Sequence, residues 1–133
     1  MLASGVACGI LRQRLWERNM SAAIRIRARV MVKDARAFGT GKADLLERIA
    51  AEGSISAAAK AMDMSYSRAW QLVDAMNAAF RRPLVESSAG GKRGGGATLT
   101  QQGEEVLALF RDMEKQMQGD ADAFLAEFDK RLK

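Results

Sequence analysis

The side chains best suited to do something chemical fall into two clusters. The first is Ser65, Tyr66, Ser67, Arg68 and Gln71, which brings hydroxyls, a guanidinium and an amide into two helical turns. Such groups read base edges and hold phosphates. The second is Lys92 and Arg93 within the loop SSAGGKRGGGAT, whose glycines suit a flexible basic tip laid along a phosphate backbone or minor groove. A solvent-exposed turn without a ligand is the plain alternative for that loop. Catalytic chemistry finds no comparable cluster. With no His and a single Cys, Cys8, zinc-finger spacing, a disulfide framework and Cys-His nucleophilic catalysis are excluded. Neither GGKRGGG nor GTGKA at 39–43 has the spacing of a P-loop. The expectation is a binding protein that is not an enzyme, with no catalytic residue, metal or cofactor.

Charge agrees with that reading and adds a direction. Residues 1–48 carry ten basic and four acidic side chains, residues 49–100 six and four, and residues 101–133 five and eight. The first hundred residues therefore carry a net +8 and the last 33 a net −3, which sum to +5. A basic excess fits nucleic acid, an anionic membrane or a solvated surface alike. The 133 residues, 48% hydrophobic and 28% charged, suit one soluble domain able to bury a core.

Several elements must position these clusters. The alternation of Ile24, Ile26, Ala28 and Val30 with Arg25, Arg27 and Arg29 in AAIRIRARVMV predicts a half-buried strand over 22–32, its arginines on one face. Phe38-Gly39-Thr40-Gly41 reads as punctuation. Leu45, Leu46 and Ile49 predict a helix over 42–51, stopped by Gly53. Ile55, Ala58, Ala59 and Met62 predict a second, capped by Ser56. Ser65 caps a third helix, in which Ala69, Leu72, Val73 and Met76 form the apolar stripe. That stripe leaves Tyr66, Ser67, Arg68 and Gln71 outside. Trp70 is assigned to the domain's packing, with base stacking as its alternative. Asp63, at the turn, replaces the usual glycine and tolerates left-handed backbone. Pro83 ends helical structure, and Leu84–Glu86 with Ala97–Leu99 read as two short strands around the glycine-rich loop. Thr100 caps a last helix carrying Val106, Phe110, Met113 and Met117, a rhythm that Phe124 and Phe128 extend beyond Gly119.

Two short helices around a tight turn, followed by a hairpin, is the order of a winged helix-turn-helix. A helical hairpin packed on alanines, without DNA, is the bland alternative. The stretches GSISAAAKAMDMSYSRAWQLVDAMN and PLVESSAGGKRGGGATLTQQGEEVLALF resemble the DNA-binding domain of the ModE family of molybdate-responsive regulators. The helix-turn-helix portion is also similar to that of LysR-type regulators. The resemblance runs from about Ile24 to Met117. It implies a homodimer on a palindromic operator, a recognition helix starting at Ser65 and a wing at Gly90 to Gly96, with the last helix and opening strand helping to make the dimer. Members of that family carry further oxyanion-binding β-domains after this region. None is legible in these 133 residues, so molybdate sensing is expected to need a separate oxyanion-binding protein, if an effector is sensed at all.

The expected architecture is mainly α with a small β wing and a long C-terminal dimerisation helix. Residues 1–20 are read as a dispensable leader, 21–100 as the winged helix-turn-helix and 101–133 as the dimerisation helix. The leader's apolar run precedes its arginines and is too short for a bilayer, so a cytoplasmic, DNA-bound protein is expected. Pairing of the last helix with a separate ligand-sensing subunit is the alternative.

Overall fold

The structure is a computed structural model that describes residues 22–88 and 95–133. The expected leader, residues 1–20, lies outside the described residues. Two compact units divide the rest, Arg27–Lys115 and a smaller one comprising residues 22–26 and Gln116–Lys133.

The larger unit opens with a hairpin. Strand β1 (Arg29–Val32) pairs antiparallel with β2 (Ala35–Gly39), and the register shifts between Val30 and Met31. Lys33 turns the chain at φ 55°. The expected strand over 22–32 is thus correct only from Arg29 onward, although the period-two pattern persists before it. Ala22, Ile24, Ile26 and Ala28 are half-buried, and Ala23, Arg25 and Arg27 are exposed. The expected punctuation at Phe38 is a correction: Phe38 and Gly39 belong to β2. Its weak strand formers, Ala-Arg-Ala, hide the element in the sequence. Burial of the Phe38 ring, 1% exposed, beside the buried Ala37 makes it part of the core.

Helix α1 (Thr40–Glu52) buries Ala43, Leu45, Leu46 and Ile49 on one face. Gly53 ends it at φ 76°, its N–H donating to the Ile49 carbonyl at 2.8 Å, a left-handed cap that favours glycine. Helix α2 (Ile55–Ala61) is capped by Ser54, whose Oγ accepts from the Ala57 N–H at 3.0 Å. The expected cap, Ser56, instead lies inside the helix. The helix starts two residues earlier than a cap at Ser56 implies, at Ile55, which is itself buried. The turn follows, with Asp63 at φ 56° as its type anticipates. Helix α3 (Tyr66–Ala79) is capped by Ser65, whose Oγ accepts from the Arg68 N–H at 3.0 Å.

The wing is the pair β3 (Val85–Ser88) and β4 (Gly96–Leu99), antiparallel with Val85 opposite Leu99 and Ser88 opposite Gly96. Helix α4 (Gln101–Asp122) begins at the expected cap, where Thr100 Oγ1 accepts from the Gly103 N–H at 3.0 Å. Gly103 has no substitute here, since a Cβ would strike the Leu84 carbonyl. The core gathers Leu45, Leu46, Ile49, Val73, Met76, Leu84 and Phe110 around Phe38. Phe38 meets Phe80 and Phe110 edge to face, with centroids 5.8 and 5.1 Å apart. Polar contacts hold α4 on α1. The Arg111 guanidinium donates to Asp44, Glu47 and Glu114 at 2.6–2.7 Å, and Thr40 Oγ1 donates to Glu114 at 2.9 Å. The Glu47 bond, above all, raises the arginine's pKa against the opposing pull of burial.

In the smaller unit α4 runs through Gly119 to Asp122, and α5 (Leu125–Asp129) follows. Gln118 Nε2 donates to the Ile24 carbonyl and to Asp122, both at 2.7 Å. Phe124 and Phe128 are 63% and 57% exposed. Among the described residues no helix is long and apolar enough to cross a membrane.

Candidate nucleic-acid interface

The geometry of α3 follows from two opposed stripes. Ala69, Val73 and Met76 are buried, and Leu72 is packed half-buried against the core. The small alanines of α2, Ala58 and Ala59, are also buried, and α2 crosses close to α3 because so little side chain stands between them. Met62 and Met64 are half-buried at the edge of the core. With one face of α3 committed in this way, Ser65, Tyr66, Ser67, Arg68 and Gln71 are all exposed. The first turn of α3 contains no acidic residue, so its N-terminal partial positive charge is not cancelled there. Trp70 is half-buried against the core, with the Tyr66 ring edge-on at 6.2 Å. That is the packing role expected of it.

Lys92 and Arg93 lie outside the described residues. The base of the wing is described, and it is tied to α3 by Asn77, a residue whose role no local pattern reveals. Asn77 Oδ1 accepts from the Leu84 and Val85 N–H groups at 2.8 and 3.1 Å, while Nδ2 donates to the Val85 carbonyl at 3.2 Å. One amide thereby satisfies three backbone groups and sets where the wing leaves α3. On its other edge the Ala97 N–H donates to the Gly53 carbonyl at 2.9 Å. Thr100 Oγ1 closes the base by donating to the Pro83 carbonyl at 2.6 Å.

Cations that the sequence does not group also meet α3. Lys42 Nζ donates to the Arg36 and Ala37 carbonyls of β2 at 3.0 and 3.3 Å. Its pKa lies below the ordinary lysine value, first because it is partly buried and then because Arg68 and Arg36 stand near. Arg36 carries no signal in the sequence, since the strand that presents it has no strand-like pattern of its own.

This arrangement can be compared with known proteins. Residues 42–104 match the family described as bacterial regulatory helix-turn-helix protein, lysR family. The chain carries a LysR-type helix-turn-helix domain. The matched span reaches from Lys42 in α1 to Glu104 in the first turn of α4, and so takes in α2, the turn, α3 and the wing. This LysR-type domain is ModE-like. The chain is 45% identical over 78 residues to the molybdenum transport protein ModE of Azotobacter vinelandii, covering 59% of this chain and 29% of that protein. It is 42% identical over 85 residues to the DNA-binding transcriptional dual regulator ModE of Escherichia coli K12, covering 64% and 32%. It is 38% identical over 103 residues to the molybdenum-pterin-binding protein MopB of Rhodobacter capsulatus, covering 77% and 37%. The chain thus spans about a third of the length of these curated relatives.

Proposed function

We propose that this chain is a sequence-specific DNA-binding transcriptional regulator that works in the cytoplasm as a homodimer on a palindromic operator and serves molybdate metabolism. The observation that carries the reading is the exposed edge of α3, where Ser65, Tyr66, Ser67, Arg68 and Gln71 project from a helix locked on its other face by Ala69, Val73 and Met76. A LysR-type helix-turn-helix matched over 42–104 supports it. In this reading the α3 residues supply base contacts, while Lys92 and Arg93 hold phosphates from the wing. The molybdate link rests on the names that the relatives carry, and oxyanion sensing falls to a separate binding protein. Residues 21–100 form the DNA-binding domain, and 101–133, with α4 and α5, the dimerisation segment.

The test is duplex selection from a random pool, followed by footprinting with wild type and Arg68→Ala. The wild type should select a two-fold symmetric sequence, and Arg68→Ala should lose about 1–3 kcal/mol, chiefly at one base position of each half-site. A mutant that footprints as wild type does would remove α3 from the interface.

A second reading has its own observation. Phe124, Phe128 and Leu132 are more than half exposed near the C-terminus, a surface that favours pairing with another chain. That chain is a second copy in the reading above and a ligand-sensing subunit in the alternative. Sedimentation equilibrium of the isolated chain at micromolar concentration separates them, twice the chain mass favouring the homodimer.

A further inference from the structure

A cleft of about 540 Å³ opens beside the first turns of α3. Arg68 and Gln71 form one wall, and Arg27, Arg29, Arg36 and Lys42 the other. None of the described residues that line it is acidic. The four cations on that wall come from the chain before β1 and from β1, β2 and α1, so only the fold brings them together. Converging like charges disfavour one another, and the pKa of Lys42, depressed first by burial, is lowered further by Arg68 and Arg36. An anion placed between them removes that opposition.

We propose that this cleft seats a phosphate of the DNA backbone beside the groove that α3 enters, making the N-terminal hairpin a backbone clamp additional to the wing. The inference rests on the DNA-binding reading and extends it to residues that reading does not use. Two features favour a backbone phosphate over a free phosphate ion. One wall of the cleft is the polar edge of α3 itself, so DNA lying against Arg68 and Gln71 brings its phosphates to the opposite wall. Arg27, Arg29 and Arg36 are all exposed, which suits a charge arriving on a large ligand rather than a small ion enclosed by buried donors.

The experiment uses the full chain and the variant Arg29→Gln with Arg36→Gln, two exposed positions whose replacement leaves the core untouched; circular dichroism checks the fold. Affinity for the selected duplex and for an unrelated duplex is measured by fluorescence anisotropy from 50 to 200 mM salt. The variant should bind both duplexes more weakly and by the same factor. Its deficit should shrink about threefold across that salt range for each phosphate that the variant no longer neutralises. Equal salt slopes for variant and wild type would overturn the proposal. Inorganic phosphate, titrated into isotope-labelled protein, should shift the Gly41 and Lys42 amide signals without saturating at micromolar levels. Saturation there would make the cleft a free-anion site and also overturn it. Should wild type bind neither duplex, the DNA-binding reading fails as well. Should Arg68→Ala lose its base preference while the arginine pair leaves the slope unchanged, only this inference fails.

Discussion

The two hairpins of the larger unit are built alike and anchored differently. Each is a two-stranded antiparallel ribbon, and such ribbons are marginal alone in water. The wing is fastened at its base by polar bonds to fixed backbone, from Asn77, Thr100 and the Gly53 carbonyl, with Val85 and Ala97 buried beneath. The N-terminal hairpin is held through β2, chiefly by the buried Phe38 ring with Ala37 beside it, and by one side chain, Lys42, on the Arg36 and Ala37 carbonyls. Its Val30, Met31 and Val32 are 41–54% exposed. Hydrogen bonds fix direction, whereas an aromatic in a core fixes position and tolerates some rotation. The wing is therefore the element whose aim relative to α3 is set by geometry, and the first hairpin is the one that depends on core integrity.

The largest effect expected from this contrast is at Phe38. Phe38→Ala removes a buried ring that touches two others, and should cost about 3–5 kcal/mol in urea unfolding. Hydrogen exchange should accelerate in β1 and β2 before the wing. If the wing opens first, the hairpins share one anchor and the contrast fails.

Asn77 is the reverse case. Asn77→Ala leaves the Leu84 and Val85 N–H groups without their partner, at about 2–3 kcal/mol. Exchange at those two amides should rise far more than at Phe38. Equal protection in mutant and wild type would show that water replaces the amide without consequence.

The helix caps come next. Ser54→Ala should lose about 1 kcal/mol of thermal stability. Ser56→Ala should stay within about 0.5 kcal/mol, as exposed positions without such a feature usually do. The opposite order would return the cap of α2 to Ser56.

The smallest stability effect belongs to the wing tip. Lys92→Ala with Arg93→Ala should change stability by less than about 0.5 kcal/mol, yet flatten the dependence of log affinity on log salt by about two if both touch phosphate. An unchanged slope would make the tip a solvated turn and shift the electrostatic grip toward the first hairpin.

Most of the helix-turn-helix is legible in the sequence, because its signals are local. The caps Ser65 and Thr100, the left-handed Gly53 and Asp63, and the apolar spacings of α1, α3 and α4 each depend on residues within a turn or two. The exposed edge of α3 was legible for the same reason, as the complement of a buried stripe. Strand β2 was not. Ala-Arg-Ala-Phe-Gly has weak strand propensity, and its pairing partner is supplied by a turn at Lys33 and Asp34 that lacks the usual glycine. Propensity loses there to the burial of one aromatic ring. With β2 hidden, Arg36 was hidden too, and with it the cationic cleft.

The sequence by itself determined the order of the helices, most of their caps and which side of α3 is polar, since those follow from periodicity and short-range hydrogen bonding. Only the tertiary structure decided that Phe38 lies in the core, that Asn77 aims the wing, that Arg111 ties α4 to α1, and that Arg27, Arg29, Arg36 and Lys42 line one cleft with Arg68. Each of these joins residues from different elements. Their proximity is set by how the buried faces of Leu45, Val73, Met76 and Phe110 pack together, and no spacing along the chain encodes it.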